Sequence, residues 1–280
     1  MLPKPCVFAA LPSQIVVRQS VIACAKTMVP AACTAVGLCL GAIISPAQAV
    51  TFVAERSALS ATDQVDWSSV GSIFSPFGPP DPSVFLPPSF FVTSQAGRSV
   101  RVDIPPSTTA GVLPPFVFQT TPEPGIATNF DDGDFILFTG LIPGPPPAIG
   151  NPGPITLTFD EPVAGAGTQL AVDDIFDFTG TLSAFDRDDQ LLGRFSAPGT
   201  SSLELDNSAL FLGVLSDESN IAKLEFESSI PTSAIGLNQL SLLGKRLPDT
   251  TAVPEPSSLI ALGVMVAFGK RYRTKSLNQH

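Results

Sequence analysis

The chain has 280 residues, a net charge of −10 and a hydrophobic content of 44%. All four cysteines (Cys6, Cys24, Cys33, Cys39) lie in the first 39 residues, while the one His (His280) and the one Tyr (Tyr272) lie at the C-terminus. Between Val50 and Glu255, 8 Lys/Arg stand against 25 Asp/Glu, a net −17 without any His or Cys, which argues against nucleic-acid partners, disulfide stabilisation, His- or Cys-based zinc sites and His-dependent nucleophilic triads.

In chain order, the first element is an uncharged apolar run, 28–45, preceded by Lys4, Arg18 and Lys26 and followed by Pro46-Ala47-Gln48-Ala49. A basic flank stays in the cytoplasm and an apolar run enters the bilayer. Small residues at Ala47 and Ala49 then fit signal peptidase, so residues 1–49 are expected to be a signal peptide cleaved after Ala49. A permanent anchor competes with this reading, but Pro30 and glycines interrupt the run. Val21-Ile22-Ala23-Cys24 has the look of a lipobox, but Arg18 and Gln14 break the apolar stretch that should precede it.

Residues 50–250 are expected to form one exported domain. Their period is mostly two: Val100, Val102 and Ile104 alternate with polar residues, as do Ile155, Leu157 and Phe159, then Leu203 and Leu205, then Ala222, Leu224 and Phe226. Such alternation marks strands with one buried face. Shorter apolar runs at 115–119, 134–138, 169–176, 178–185, 191–195, 210–215 and 234–243 are separated by turn residues. Only 54–61 reads as a brief helix. The fold class is therefore all-β, an antiparallel β-sandwich of jelly-roll-like form, flanked by an N-terminal signal helix and a short C-terminal membrane helix. Eighteen of the 20 Phe lie between 52 and 226 and are expected between the sheets. Proline-rich stretches at 76–88, 105–124 and 143–154, with six prolines each, are expected as loops or edge segments.

The chemistry left to this body is carboxylate chemistry. Asp131, Asp132 and Asp134 form one cluster, Asp173, Asp174 and Asp177 a second, and Asp186, Asp188 and Asp189 a third. Asp in turns hydrogen-bonds its own backbone, which is the plainer reading of all three. Calcium is the alternative, with Asp131, Asp132, Asp134, Asp173 and Asp174 as one candidate site if their loops converge. No other cofactor is expected. Gly165-Ala166-Gly167 reads as a turn rather than a nucleotide loop. Trp67, the one Trp, reads as a core-edge residue rather than a sugar platform. Paired carboxylates also serve glycoside hydrolases, but no pair stands out, so the body is expected to be non-enzymatic.

The last element has three blocks: Val253-Pro254-Glu255-Pro256, an apolar run from Leu259 to Phe268, and a basic cluster of Lys270, Arg271, Arg273 and Lys275. The prolines hold the backbone around Glu255 extended, and the basic cluster favours the cytoplasmic side. Ser257 to Gly269 would span ~20 Å as a helix against a ~30 Å bilayer core, a short and marginal anchor. In residue types and order, 253–275 closely resembles the PEP-CTERM sorting signal of exosortase substrates. That resemblance implies recognition by a membrane sorting enzyme and delivery to the cell surface or extracellular matrix, with exopolysaccharide as a candidate partner. The stretch 155–243 also resembles, more loosely, the body of many such proteins, through Phe159-Pro162-Val163, Ala184-Phe185-Asp186 and Phe211 to Val214. It implies a β-sandwich and no activity.

Overall fold

The computed structural model describes residues 50–245, apart from 72, 76–80, 122–125, 127 and 145–146. The expected signal segment with Ala47 and Ala49, the Val253–Pro256 motif, the short membrane helix and the basic cluster lie outside the described residues. Among the described residues, no helix is long and apolar enough to cross a membrane.

The body is all-β, with two antiparallel sheets. The eight-stranded sheet holds β1 (Thr51–Val53), β2 (Asp63–Val65), β5 (Phe116–Gln119), β6 (Phe135–Phe138), β8 (Gly165–Val172), β11 (Leu210–Leu215), β13 (Ile235–Leu237) and β14 (Leu240–Leu243). The six-stranded sheet runs β10 (Leu191–Thr200), β9 (Asp177–Phe185), β12 (Ile221–Ser228), β7 (Ile155–Val163), β4 (Ser99–Asp103), β3 (Ser89–Thr93). Antiparallel pairs nest inside one another: β9 with β10, β8 with β11, β7 with β12, β6 with β13. Successive pairs alternate between the two sheets.

Period-two patterning sets which face is buried. In β7, Ile155, Leu157 and Phe159 are buried while Thr156 and Thr158 are half-buried. Leu224 and Phe226 of β12 and Leu182 and Ala184 of β9 join them in one core cluster. From the opposite sheet, Leu170 of β8, Leu212 and Val214 of β11 and Leu237 of β13 complete that cluster. The two sheets therefore share one core, which burial of apolar area holds together.

The eight-stranded sheet is buried on its other face as well. Phe116 and Phe118 of β5 and Ile136 and Phe138 of β6 form a second cluster with Phe130 and Ala171. Their sequence neighbours Val117 and Leu137 face the shared core. The Phe residues are thus not confined to the space between the sheets, as the sequence suggested. Loops wrap the outer face of this sheet and need rings to pack against.

Several other expectations are corrected. Leu203 and Leu205 are not in a strand, and Leu203 is exposed. Asp206 accepts from Ser208 N at 3.1 Å, and Asn207 has φ 60°, so a turn overrides the short alternation there. Gly165-Ala166-Gly167 is the start of β8 rather than a turn. A Cβ on Gly167 would stand 2.6 Å from Gly213 Cα and 2.8 Å from the Phe211 ring, so close strand approach requires glycine there. The helix expected at 54–61 is a 3₁₀ turn, Arg56–Leu59, and two more lie at Trp67–Val70 and Pro82–Val84. Pro162 and Pro198 sit within strands, the first beside a register shift in the β7–β12 pair and the second on β10, which ends the six-stranded sheet.

Candidate functional site

The residues of β8 at odd positions face outward, and they change character along the strand. Gln169 lines a polar pocket, while Ala171 and, just past the strand end, Asp173 line a separate apolar cavity. β13 makes the same switch: Gly236 borders the apolar cavity and Asn238, just past the strand end, borders the polar one.

The break between β13 and β14 builds the polar pocket. Both strands pair with β8, and Asn238 and Gln239 interrupt them. Asn238 is buried and acts as a hub. Its Nδ2 donates to Asp134 Oδ2 at 2.6 Å and to Gln169 Oε1 at 3.0 Å. Its carbonyl accepts from Thr168 Oγ1 at 2.6 Å and from Trp67 Nε1 at 2.8 Å. Its Oδ1 accepts from Gln239 N. Burial of so polar a side chain is tolerated because its donors and acceptors are satisfied.

Arg56 closes one side. The 3₁₀ turn carries it over β8 and β14, where Nη1 donates to Gln239 O at 3.0 Å and Ser241 Oγ at 2.6 Å. Nη2 donates to Gln169 Oε1 at 3.1 Å. The guanidinium also lies 5.5 Å from the centre of the Phe211 ring. Burial lowers its pKa and the nearby Asp134 carboxylate opposes that shift. On the other side, burial raises the Asp134 pKa, against the lowering effect of hydrogen bonds from Asp131 N and Asn238. Gln169 Nε2 donates to Asn207 Oδ1 at 2.7 Å. The pocket is about 260 Å³ and Asp66, Asp131, Gly133 and Phe135 complete its lining. Its side chains hold one another in place through these bonds, so the pocket is ordered before any ligand enters.

The acidic clusters do not meet as the sequence allowed. Asp131 and Asp134 line the polar pocket, whereas Asp173 and Asp174 line the apolar cavity. Asp131 Oδ1 accepts from Asp132 N at 2.9 Å, within the turn that includes Gly133. Asp174 Oδ2 accepts from Ala148 N at 2.8 Å. Asp186 Oδ1 accepts from Asp188 N and Gln190 N in the β9–β10 turn, and Asp177 accepts from Thr200. Backbone N–H groups thus occupy Asp131, Asp174 and Asp186. Among the described residues, no group of three or more His, Cys, Asp or Glu is placed to hold a metal ion. Trp67 is fully buried, inside the core rather than at its edge, and offers no exposed platform.

Arg56, Gln169, Asn207, Asn238 and Gln239 were not singled out from sequence. One signal was present: two adjacent amides, Asn238-Gln239, interrupt the apolar run 234–243. A polar pair inside a buried strand marks a ladder break.

No protein-family model matches the chain, and no curated protein matches it. Among solved structures, it is similar to a DUF4465 family protein from Bacteroides caccae ATCC 43185, at 12% identity and a TM-score of 0.33, over 69% of this chain and 99% of that one.

Proposed function

We propose that this chain is an exported structural or adhesive protein of the cell surface or extracellular matrix, delivered by an exosortase-type C-terminal signal, and that its polar pocket holds matrix polysaccharide. The body folds as a β-sandwich of jelly-roll type, a reading supported by nested strand pairs that alternate between sheets. Signal peptidase removes residues 1–49. The apolar run after Pro256 then holds the protein in the membrane, with Lys270, Arg271, Arg273 and Lys275 on the cytoplasmic side, until a sorting enzyme acts near Val253–Pro256.

The observation that carries the export reading is the order of blocks in 253–275, joined to an acidic body between basic ends. For polysaccharide, the support is the pocket's mixture of amides, carboxylates and a guanidinium beside Phe135. Sugars present hydroxyls that both donate and accept, and such a mixture pairs with them without burying net charge on the ligand. The role is binding rather than catalysis.

Two measurements test this. The C-terminal mass of the surface-exposed protein is expected to lack Leu259 to His280; retention of that segment overturns the sorting step. On a glycan array the protein is expected to retain neutral polysaccharide, and Gln239→Ala with Asp131→Ala is expected to abolish retention. A silent array removes the polysaccharide reading and leaves a structural role.

A further inference from the structure

The outer face of the eight-stranded sheet carries a cavity of about 450 Å³. Phe74, Phe116, Phe118, Phe130 and Phe138 line it, with Asp173 at one side. Phe74 and Phe116 ring centres are 4.3 Å apart, and Phe116 and Phe138 are 5.3 Å apart, so the rings brace one another rather than collapse into the space. Backbone register sets the floor: Phe138, Gly236 and Ala171 stand opposite one another on three adjacent strands. A Cβ on Gly236 would stand 3.0 Å from Ile136 Cγ2 and 3.5 Å from the Phe130 ring, so glycine and alanine keep that floor low.

Size and lining narrow the occupant. An apolar cavity of roughly 150 Å³ accepts one benzene, and this one is about three times larger. It falls in the range of small-molecule sites, which are apolar with a few polar groups that orient the ligand. Asp173 supplies such a group. Its Oδ2 is buried without a hydrogen-bond partner, while the neighbouring Asp174 is engaged by Ala148 N. Among the described residues that line the cavity, none is cationic. A ligand carboxylate would therefore meet only like charge, whereas an ammonium would meet the Asp173 carboxylate, which no cation among the described lining residues neutralises, and aromatic faces that attract cations.

We propose that this cavity binds an apolar amine, with its ring or chain among the phenylalanines and its ammonium beside the Asp173 carboxylate. This inference stands apart from the polysaccharide pocket and from the sorting signal, since it uses neither. Asp173 also titrates near neutrality, its carboxyl pushed up to about 6 by burial and by Asp174, and an ammonium partner would relieve that burial penalty.

The test compares three probes of one shape on the full chain by calorimetric titration and thermal shift: 1-naphthylmethylamine, 1-naphthalenemethanol and 1-naphthylacetate. The amine is expected to bind tightest and to raise Tm, and the acetate to do neither. Asp173→Asn is expected to weaken the amine about tenfold or more while leaving the alcohol unchanged. Ala171→Phe, which fills the floor, is expected to abolish binding of all three. Failure of every probe to bind the unaltered protein overturns the site. Equal binding of amine and acetate overturns the assignment of the ligand class. Both outcomes are read on the unaltered chain, so neither depends on a variant folding.

Discussion

The two sheets solve different problems with the same strand geometry. In the six-stranded sheet, one face of β7, β9 and β12 enters the shared core and the other carries residues such as Thr156, Thr158, Lys223 and Glu225, half-buried at most. Every residue of β8, in the eight-stranded sheet, is buried. A strand buried twice must find partners for both faces, and here the outer partners are loops. Loops fill space less regularly than a second sheet does, and both the polar pocket and the phenylalanine cavity lie where they meet β8 and β13. Both cavities thus lie on the sheet covered by irregular chain, while the six-stranded sheet turns a more polar face outward.

The largest expected effect tests whether that outer face is truly core. Ile136→Ala, in the outer cluster, is expected to cost about 3 kcal/mol in urea unfolding. A loss under about 1 kcal/mol would show that the loops do not seal this face. Next comes the hub of the polar pocket. Asn238→Ala leaves Asp134 and Gln169 without their shared donor and is expected to cost about 2 kcal/mol, with loss of glycan retention in the same protein. Retention unchanged in a folded Asn238→Ala protein would detach the pocket from the network that shapes it.

Asp173 sharpens the comparison through pH. Its ordinary value is 3.8 and in the folded protein it rises to about 6, because burial, then Asp174, disfavour the charged form. The folded state therefore holds this proton more tightly than the unfolded state. The resulting destabilisation is full above pH 6, shrinks as pH falls from 6 toward 3.8, and vanishes below that. Asp173→Asn is expected to raise stability by about 1–3 kcal/mol at pH 7.5, allowing for partial solvent contact, and to bring little gain at pH 4. An equal gain at both pH values would rule out a buried carboxylate as the cause. The smallest effect belongs to the six-stranded sheet: Glu225→Ala, outside the core, is expected to change stability by no more than about 0.5 kcal/mol. Calcium against chelator is expected to leave Tm unmoved, since Asp131 and Asp173 line different cavities.

Legibility followed this same division. Alternation at 99–103, 155–159 and 222–226 was readable because one face is polar. The boundaries of β8 were not, since a strand buried on both faces has no alternation to read. β1 and β2 escaped notice for another reason: they are three residues each, too short for a period to register. Of the candidate site, Asp131 and Asp134 were named for calcium and found beside Arg56 and Asn238. A separation of 182 residues between Arg56 and Asn238 leaves no local trace of their meeting at one pocket.

By itself, the order of residues determined the all-β class, the acidic body and the addressing signatures proposed for its two ends. Each depends on local composition or on a period of two, and both are properties of neighbours in the chain. Tertiary structure alone decided that eight strands share one sheet, that its outer face is sealed by loops, and that Asp134 and Asp173 belong to different cavities. Those outcomes follow from which distant strands pair and in what register, and pairing energy is spread over the whole core rather than written into any one segment.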